Sequence, residues 1–269
     1  MIIDIHGHLG NINLAPFWVA DADQLEQYAV EAGVDILCVT AARSIMYDVR
    51  EGNLELDEAL KRTTKLLGYV TVNPLFPRSI NDLDLLEENH KFIGAKIHPD
   101  YHGYDVRSAA AQEFLDQVAD RVRTMLFHVS CMPGTGFADA GAIAEFAGRH
   151  PQTNVVMAHV AGIFQNPVYP YFPNLSGLEK VARQRLDNAY VDTAHHLMYV
   201  YPGVMQKMVD VLGADHIVFG TDVPLQGPMQ MRFAIEVIQS LKISDDDKEK
   251  ILSGNAKKII TASHRALGA

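Results

Sequence analysis

Met1-Ile2-Ile3-Asp4-Ile5-His6-Gly7-His8 opens the chain and predicts the first strand of an α/β fold. Side chains repeat every second residue along a strand, so Asp4, His6 and His8 are expected on one face. Two imidazoles then converge on one point, and neutral histidine nitrogen is a good ligand for a divalent metal. A bare His-x-His also arises by chance as a pair of surface or core histidines. Whether this pair binds a metal depends on which side chains the other strands place beside it.

The composition favours one large globular domain over a fibrous or disordered chain. Of 269 residues, 48% are hydrophobic and 21% are charged, which is enough apolar material for one large core. The formal net charge is −10, and no Lys/Arg cluster breaks the acidic balance. A protein that binds nucleic-acid phosphates or coats an anionic membrane needs such a cluster. Small-molecule partners are therefore expected.

Cysteine usage and the N-terminal segment bear on the compartment. Cys38 and Cys131 are the two cysteines, too few for a disulfide framework or a cysteine-rich zinc site. The first residues lack the basic segment and apolar run of a signal peptide, and no stretch approaches the roughly 20 apolar residues of a membrane helix. A soluble protein of the reducing cytoplasm is expected.

Hydrophobic periodicity predicts alternating strands and helices along the whole chain. After strand one, the predicted strands are 34–40, 66–72, 92–98, 124–130, 154–160, 189–193 and 217–221. The predicted helices are 21–32, 54–65, 80–90, 107–123, 138–149, 175–187 and 203–212, with a further capping helix over 244–254 and loops over 9–20 and 43–52. Eight strands that alternate with helices predict a single (β/α)8 barrel over residues 1–269, rather than an open doubly wound sheet.

The segment 164–173 differs from the rest of the chain. Its three prolines preclude a long regular helix, and its four aromatic residues are unusual for a solvated loop, so we expect an ordered lid. The lid aromatics Tyr169, Tyr171 and Phe172, together with Trp18, either wall a pocket or are buried between the subunits of a homo-oligomer.

Polar side chains fall at the carboxyl ends of five predicted strands. In a closed barrel these ends open onto one mouth, whereas an open sheet brings only the strands at a switch point near a ligand. The set consists of His6 and His8 on strand one, Lys96 and His98 on strand four, His128 on strand five, His159 on strand six and Asp222 after strand eight. Nitrogen and oxygen ligands without thiolate suit zinc, and also manganese, iron or cobalt.

With these residues the chain resembles the amidohydrolase superfamily, and most closely its amidohydrolase-2 group. That group includes hydrolases, decarboxylases and hydratases related to aminocarboxymuconate-semialdehyde decarboxylase. The matching motifs are Asp4-x-His6-x-His8, Gly94-Ala95-Lys96-Ile97-His98-Pro99, His128, Ala158-His159, Phe219-Gly220-Thr221-Asp222-x-Pro224 and Gly254-Asn255-Ala256.

The resemblance implies roles for the individual residues. It implies that His6, His8, His128 and Asp222 bind the metal. It also implies that His159 is a further ligand or a hydrogen-bond partner of the activated water, and that Asp222 shuttles the proton of that water.

Lys96 has two interpretations. In dihydroorotase and the phosphotriesterase-like lactonases, a lysine on strand four is carboxylated and bridges two metals, and here His128 and His159 would complete that second site. Alternatively, Lys96 is a free ammonium that binds an anionic substrate. We favour this second interpretation and one metal ion, because the closer subgroup is usually mononuclear.

Further side chains at the mouth are candidates for substrate binding. His98, Arg43, Tyr101 and His195 have this role in our interpretation, with Lys96, since cations and polar groups at the catalytic end suit a carboxylate. Each also has a structural explanation, as a strand end, a surface histidine or a solvated loop residue. Cys131 is interpreted as a small packing residue rather than a nucleophile.

The favoured function is a metal-dependent hydrolase. A metal held by imidazoles and a carboxylate lowers the pKa of bound water to about 7, and a nearby carboxylate or imidazole takes the proton. The expected substrate is a small carboxylate-bearing amide or lactone. The alternative is a decarboxylase or hydratase that uses the same metal, and a third hypothesis is a barrel that binds metal without turnover.

Overall fold

The strands of the protein form one curled sheet. The structure, a computed structural model, describes residues 1–12, 19–129, 136–162, 175–194, 203–225 and 227–266. Within these ranges the strands are β1 Ile3–Asn11, β2 Val19–Ala20, β3 Ile36–Ala41, β4 Leu66–Thr71, β5 Phe92–Ile97, β6 Thr124–Phe127, β7 Asn154–Met157, β8 Ala189–Asp192 and β9 Ile217–Val218.

Helices follow most of these strands. The α-helices of the described ranges are α1 Ala22–Ala32, α2 Ala42–Met46, α3 Val49–Arg62, α4 Leu85–Glu88, α5 Pro99–His102, α6 Ala109–Arg121, α7 Ala140–Arg149, α8 Ser176–Gln184, α9 Val204–Leu212, α10 Pro228–Gln239, α11 Asp245–Glu249 and α12 Asn255–Ala266. Two 3₁₀ segments, Pro77–Asp84 and Ala214–His216, and the π-turn Lys250–Gly254 complete the elements.

The sheet closes on itself. Its order is β2-β1-β3-β4-β5-β6-β7-β8-β9, with every pair parallel except the short β2, which runs antiparallel to the end of β1. Beyond β9 the backbone pairs with β1: Phe219 O accepts from the Ile5 amide at 2.9 Å, and Val223 O accepts from the His8 amide at 2.7 Å. The predicted (β/α)8 barrel is therefore confirmed, and β1 lies at the closing seam.

The barrel has an apolar floor. Its interior cluster joins inward-facing strand residues to residues of the C-terminal helix α12, among them Ile3, Ile5, Cys38, Tyr69, Ile93, Leu126, Val156, Val218, Ala256 and Ile259. A larger cluster fills the space between the strands and the surrounding helices. Because the floor is packed with apolar side chains, the polar interior residues are confined to the carboxyl ends of the strands.

The first helix shows how local sequence sets an element's ends. The Asp21 side chain accepts from the Gln24 amide at 2.8 Å, and the Gln24 side chain accepts from the Asp21 amide at 2.9 Å, which forms a capping box. Gly33 ends the helix at φ 78°, a left-handed conformation that glycine adopts without a Cβ clash. The predicted helix start and stop are confirmed.

Two local predictions are wrong. Residues 43–52 form α2 and the first turn of α3, not a loop, because the Asp48 side chain caps α3 by accepting from the Glu51 amide at 2.9 Å. The predicted helix 80–90 is instead the 3₁₀ segment Pro77–Asp84 followed by α4. The weak periodicity of a proline-initiated segment does not separate these two helix types.

Several strands end earlier than the periodicity predicts, although β1 and β3 extend beyond their predicted ends. The predicted strand 154–160 ends at Met157, and the last predicted strand ends at Val218 instead of residue 221. In β1 the register shifts between Asp4 and Gly7, so strict alternation does not hold across the strand. Polar residues expected on strands thus lie just beyond them.

The remaining predictions concern the lid, two single residues, membrane helices and the number of domains. The lid 164–173, Trp18 and Cys131 lie outside the described residues. Among the helices that the structure describes, none combines the length and apolar character needed to span a membrane. That residues 1–269 form a single domain stays a prediction.

Gly94 tests the close packing of adjacent strands. A Cβ on Gly94 of β5 would lie 2.2 Å from Thr124 O of β6, so we expect Gly94→Ala to lower the free energy of unfolding by about 1–3 kcal/mol. Chemical denaturation measures this change. The matched control is Gly148→Ala on α7, where the new Cβ would meet Leu186 at an ordinary 3.6 Å and helix propensity favours alanine. Equal stability of both variants would contradict the close approach.

Candidate metal centre

Three of the predicted site residues bring ligand atoms together at the mouth of the barrel. One donor atom from each of His6, His159 and Asp222 lies within 4.8 Å of the other two, and all three residues are buried. They come from β1, from the turn after β7 and from the segment after β9. The carboxyl ends of three strands therefore supply one cluster.

His8 extends this cluster on the Asp222 side. Its Nε2 lies 2.8 Å from Asp222 Oδ1, and the same carboxylate oxygen lies 3.4 Å from His6 Nε2. The His8 side chain is buried, and its Nδ1 has no hydrogen-bond partner within the described ranges. Both histidines of the first strand thus face the Asp222 carboxylate, as their two-residue spacing predicts.

Asp192 holds the cluster from below. This fully buried carboxylate, at the end of β8, accepts from His6 Nδ1 at 2.7 Å through Oδ2. Its Oδ1 accepts from the backbone amides of His159 at 2.8 Å and Ala194 at 3.0 Å. When Nδ1 of His6 carries the proton, its Nε2 presents a lone pair to the cluster.

The backbone at His159 and Asp222 is strained. His159, Val160 and Ala161 have φ of 59°, 55° and 54°, and Asp222 has φ of 63°. Non-glycine residues in this left-handed region cost about 1–2 kcal/mol each, so surrounding contacts must hold them there. The bond from the His159 amide to Asp192 is one such contact. The turn Ala158–Gly162 directs the His159 ring toward the donor cluster. In a continued strand, the alternation of side chains would not keep the ring there.

Lys96 lies against the cluster. Its side chain is fully buried on β5, and its Nζ is 3.2 Å from His6 Nε2. Burial lowers the pKa of Lys96 to about 8, while the charges of Asp222 and Asp192 oppose that shift. The Lys96 amino group therefore faces the donor atoms of the cluster.

A hydrogen-bonded chain runs outward from His159. His128 Nδ1 lies 3.2 Å from His159 Nε2, and its Nε2 lies 3.0 Å from Asp100 Oδ2. Both ring nitrogens of His128 thus have partners in this arrangement, and the ring is not part of the three-residue cluster. The predicted role of His128 as a metal ligand stays a prediction.

An aromatic stack covers the other face of His128. The ring of His98 lies 3.9 Å from that of His128 and 4.4 Å from that of Tyr101, with nearly parallel planes in both pairs. Burial holds the pKa of His98 well below its usual range. His98 and Tyr101 therefore lie beside the cluster, where substrate binding was predicted for both.

The other two predicted substrate-binding residues are Arg43 and His195. Arg43 is half-exposed on α2 and pairs with Glu51 at 3.6 Å and Glu55 at 3.9 Å. His195 lies outside the described residues. Their predicted roles stay predictions.

The donor set fits a divalent metal. Burial lowers the pKa of His8 to about 4 and also lowers that of His128, so both imidazoles are neutral at physiological pH. A neutral imidazole has the lone pair that a metal ligand needs. A buried carboxylate among neutral histidines, beside an unpartnered His8 nitrogen, is a site that a cation would stabilise.

Asp4 has a supporting role instead of joining the histidines. Its carboxylate accepts from Thr221 Oγ1 at 2.5 Å, from the Thr221 amide at 3.1 Å and from the His6 amide at 3.1 Å. Burial raises its pKa to about 7, although these hydrogen bonds favour the charged form. Asp4 thus links β1 to the segment that carries Asp222.

Sequence analysis missed Asp192 and Asp100. Asp192 is the last residue of β8 and lies one residue before the end of the predicted strand 189–193. Strand ends supplied the candidate metal ligands, so this position could have identified it. Asp100 follows His98-Pro99 on the one-turn helix α5. Nothing in the sequence shows that this turn directs a carboxylate back to His128.

A model of the amidohydrolase family matches residues 3–260. The chain belongs to the amidohydrolase family. No curated protein matches the sequence. The match spans nearly the whole chain and includes every predicted ligand, so the resemblance inferred from the motifs is confirmed and the protein is an enzyme of this superfamily.

Solved structures share the fold at low sequence identity. A 2,6-dihydroxybenzoate decarboxylase from Rhizobium has a TM-score of 0.69 at 14% identity, with 97% of this chain and 98% of that chain covered. A 5-carboxyvanillate decarboxylase from Novosphingobium aromaticivorans, complexed with manganese and 4-hydroxy-3-methoxy-5-nitrobenzoic acid, has a TM-score of 0.71 at 13% identity, with 97% and 96% covered.

A third similar structure carries a different activity in its name. It is a probable 2-pyrone-4,6-dicarboxylic acid hydrolase from Acinetobacter baumannii, with a TM-score of 0.69 at 13% identity and 97% and 99% of the two chains covered. At these identities the similarity shows the fold alone. Lyases and hydrolases therefore share this barrel.

Asp192→Asn tests whether the carboxylate sets the proton position on His6. An asparagine oxygen still accepts from the His159 and Ala194 amides, but its NH₂ group then faces His6 Nδ1 and forces the proton onto Nε2. We expect metal affinity to fall about 10–100-fold while the melting temperature changes little. Competition with a chromogenic chelator measures the affinity.

The control for this variant is Asp187→Asn, an exposed carboxylate five residues earlier in the chain. It should bind metal as the unmodified protein does. Unchanged metal affinity in Asp192→Asn would show that His6 does not depend on Asp192.

Proposed function

We propose that the chain is a metal-dependent decarboxylase acting on a small hydroxylated aromatic carboxylic acid. The observation that carries this proposal is the buried Lys96 ammonium, 3.2 Å from His6 Nε2 at the edge of the donor cluster. A buried cation that faces a metal site is stabilised by an anion bound between the two. A substrate carboxylate supplies that anion.

The similar structures favour the lyase alternative over hydrolysis. Two of the three named above are decarboxylases of aromatic acids, and one of these holds manganese and an aromatic acid. The sequence-based expectation of amide or lactone hydrolysis has the support of one hydrolase among them. The donor set suits both reactions and does not choose between them. We therefore propose decarboxylation on the basis of the similar structures.

The proposed metal site holds one ion, manganese or zinc, with His6, His8 and Asp222 as ligands and His159 or His128 completing the set. One ion is favoured because His6, His159 and Asp222 form a single cluster, and because Lys96 in this proposal binds the substrate instead of bridging two metals. Imidazole and carboxylate donors without thiolate accept either metal. A divalent ion bound here would neutralise and orient the substrate's carboxylate and adjacent hydroxyl oxygens.

The reaction needs one proton at the carbon that loses CO₂. The bond between the ring carbon and the carboxylate breaks, its electron pair stays on the ring carbon, and a proton replaces the departing CO₂. Asp222 is the proposed donor, since its Oδ1 lies within 2.8 Å of His8 Nε2 and faces the cluster. His159, His128 and Asp100 form a proposed path for a proton from the rim of the barrel.

Other residues have proposed roles in substrate binding. Lys96 holds the carboxylate, and the stacked rings of His98 and Tyr101 form one wall beside the cluster. Contacts from Arg43 and His195 stay predictions. Small organic anions are the proposed substrates, in agreement with the aromatic acid bound in the manganese-containing similar structure.

CO₂ release from a panel of hydroxybenzoic acids tests the proposal. With manganese or zinc supplied, we expect CO₂ release and loss of that activity after metal chelation. Asp222→Asn should lower turnover at least about 100-fold, since a positioned acid or base contributes a factor of that order. The exposed Asp210→Asn is the matched control, and metal content is measured in each variant.

Two outcomes would contradict the proposal. Acid release from lactones or cyclic amides, with no CO₂ from any aromatic acid, would assign hydrolysis instead. Full turnover by metal-loaded Asp222→Asn would remove Asp222 from the reaction.

A further inference from the structure

A cavity lies at the mouth end of the barrel and does not include the donor cluster. It has a volume of about 490 Å³, and its walls come from residues that follow β3, β4 and β5, such as Ser44, Asn73 and Tyr101. None of His6, His8, His159 or Asp222 lines it. A volume in this range accommodates a small organic ligand.

Exposed aromatic rings surround this cavity. Tyr47, Phe76 and Tyr101 all line it, with exposures of 60%, 64% and 50%. Large aromatic side chains that are exposed together around a concave surface are a common feature of ligand sites. The three rings offer flat apolar surface to a planar group.

Among the described residues, Arg78 is the one charged side chain of the cavity without a hydrogen-bond or ion-pair partner. Asp82 is buried and accepts from Arg50 Nη1 at 2.8 Å and from Asn53 Nδ2 at 2.9 Å. Asp48 is occupied as the cap of α3. Arg78 is exposed, and within the part of the chain that the structure describes its guanidinium has no hydrogen bond or ion pair.

A neighbouring cavity helps to place the ligand. Arg50, Arg78 and Asp82 also line a smaller space of about 330 Å³, whose other walls carry the acidic Asp84 and Glu88. With Asp82 this space has three carboxylates beside Arg50 and Arg78, whereas the larger cavity has two, Asp48 and Asp82, beside the same two cations. An anion is therefore less favoured in the smaller space. An anion attracted by Arg78 is therefore expected on the side of the aromatic rings.

From these observations we propose that the 490 Å³ cavity binds a small aromatic anion, with its ring between the exposed aromatic side chains and its charge on Arg78. Guanidinium groups bind carboxylate, sulfonate or phosphate oxygens in pairs, and aromatic rings stack at offset geometry. The site is independent of the proposed decarboxylation. Tyr101 is shared by the two regions, since its ring stacks on His98 and also lines the cavity.

Benzenesulfonate is the probe, because it combines a ring with an anion but is a poor metal ligand and has no carboxylate to lose. Isothermal titration of the metal-loaded full chain should give one site. Methanesulfonate, which lacks the ring, and benzyl alcohol, which lacks the charge, should each bind at least about 10-fold more weakly. The benzenesulfonate affinity should persist after metal chelation.

Variants locate the site. Arg78→Gln and Phe76→Ala should each weaken benzenesulfonate binding about 10-fold, since both side chains are exposed and neither substitution removes a packed core residue. Arg62→Gln, the same charge change at an exposed position on α3 away from the cavity, should bind within about twofold of the unmodified protein.

The proposal is overturned if benzenesulfonate does not bind, if its affinity is unchanged in both Arg78→Gln and Phe76→Ala, or if binding disappears with the metal. The last result would place the probe at the metal centre. A chain without decarboxylase activity that still binds benzenesulfonate through Arg78 would refute the proposed function and retain this site.

Discussion

The arrangement of the candidate metal centre depends on the hydrogen bonds of the buried Asp192 carboxylate. It reaches three strand ends at once, through His6 Nδ1 and through the amides of His159 and Ala194. A carboxylate buried without such donors would be costly, so the three bonds and the carboxylate stabilise one another. The same bonds compensate part of the cost of the left-handed backbone at His159.

This arrangement explains why a strained turn follows β7. An extended strand would alternate its side chains and carry the His159 ring past the mouth. Four of the five non-glycine residues with positive φ in the described ranges are His159, Val160, Ala161 and Asp222, and two of these are donors of the cluster. Strain is concentrated where the backbone must redirect a ligand atom, and it is absent from the described strands that only pack the core.

The sequence predicts the barrel and the position of its mouth, because both depend on patterns that local physics imposes. Strand and helix periods gave the order of elements, and polar residues at strand ends gave His6, His159 and Asp222. The strand limits were wrong where tertiary contacts override periodicity, as at Met157 and Val218. Asp100 was missed because a one-turn helix, not a periodic element, returns it to His128.

The sequence also did not distinguish the residues of the proposed reaction from those that would bind a ligand in the cavity. Their positions in the fold explain why. Donors of the cluster lie at the ends of strands, where register and closure at the β1 seam restrict their positions. The aromatic cavity is built from α2, the start of α3 and the 3₁₀ segment Pro77–Asp84, which are the places where periodicity failed to predict the local structure. Its exposed rings and Arg78 contribute little to the core, so the hydrophobic periodicity that predicts the fold does not identify them. Tyr101, on the one-turn helix α5, belongs to both regions, since its ring stacks on His98 and also lines the cavity. In the two proposals, ligand specificity thus depends on short segments whose conformation is set by caps and prolines, while the chemistry depends on residues at the strand ends.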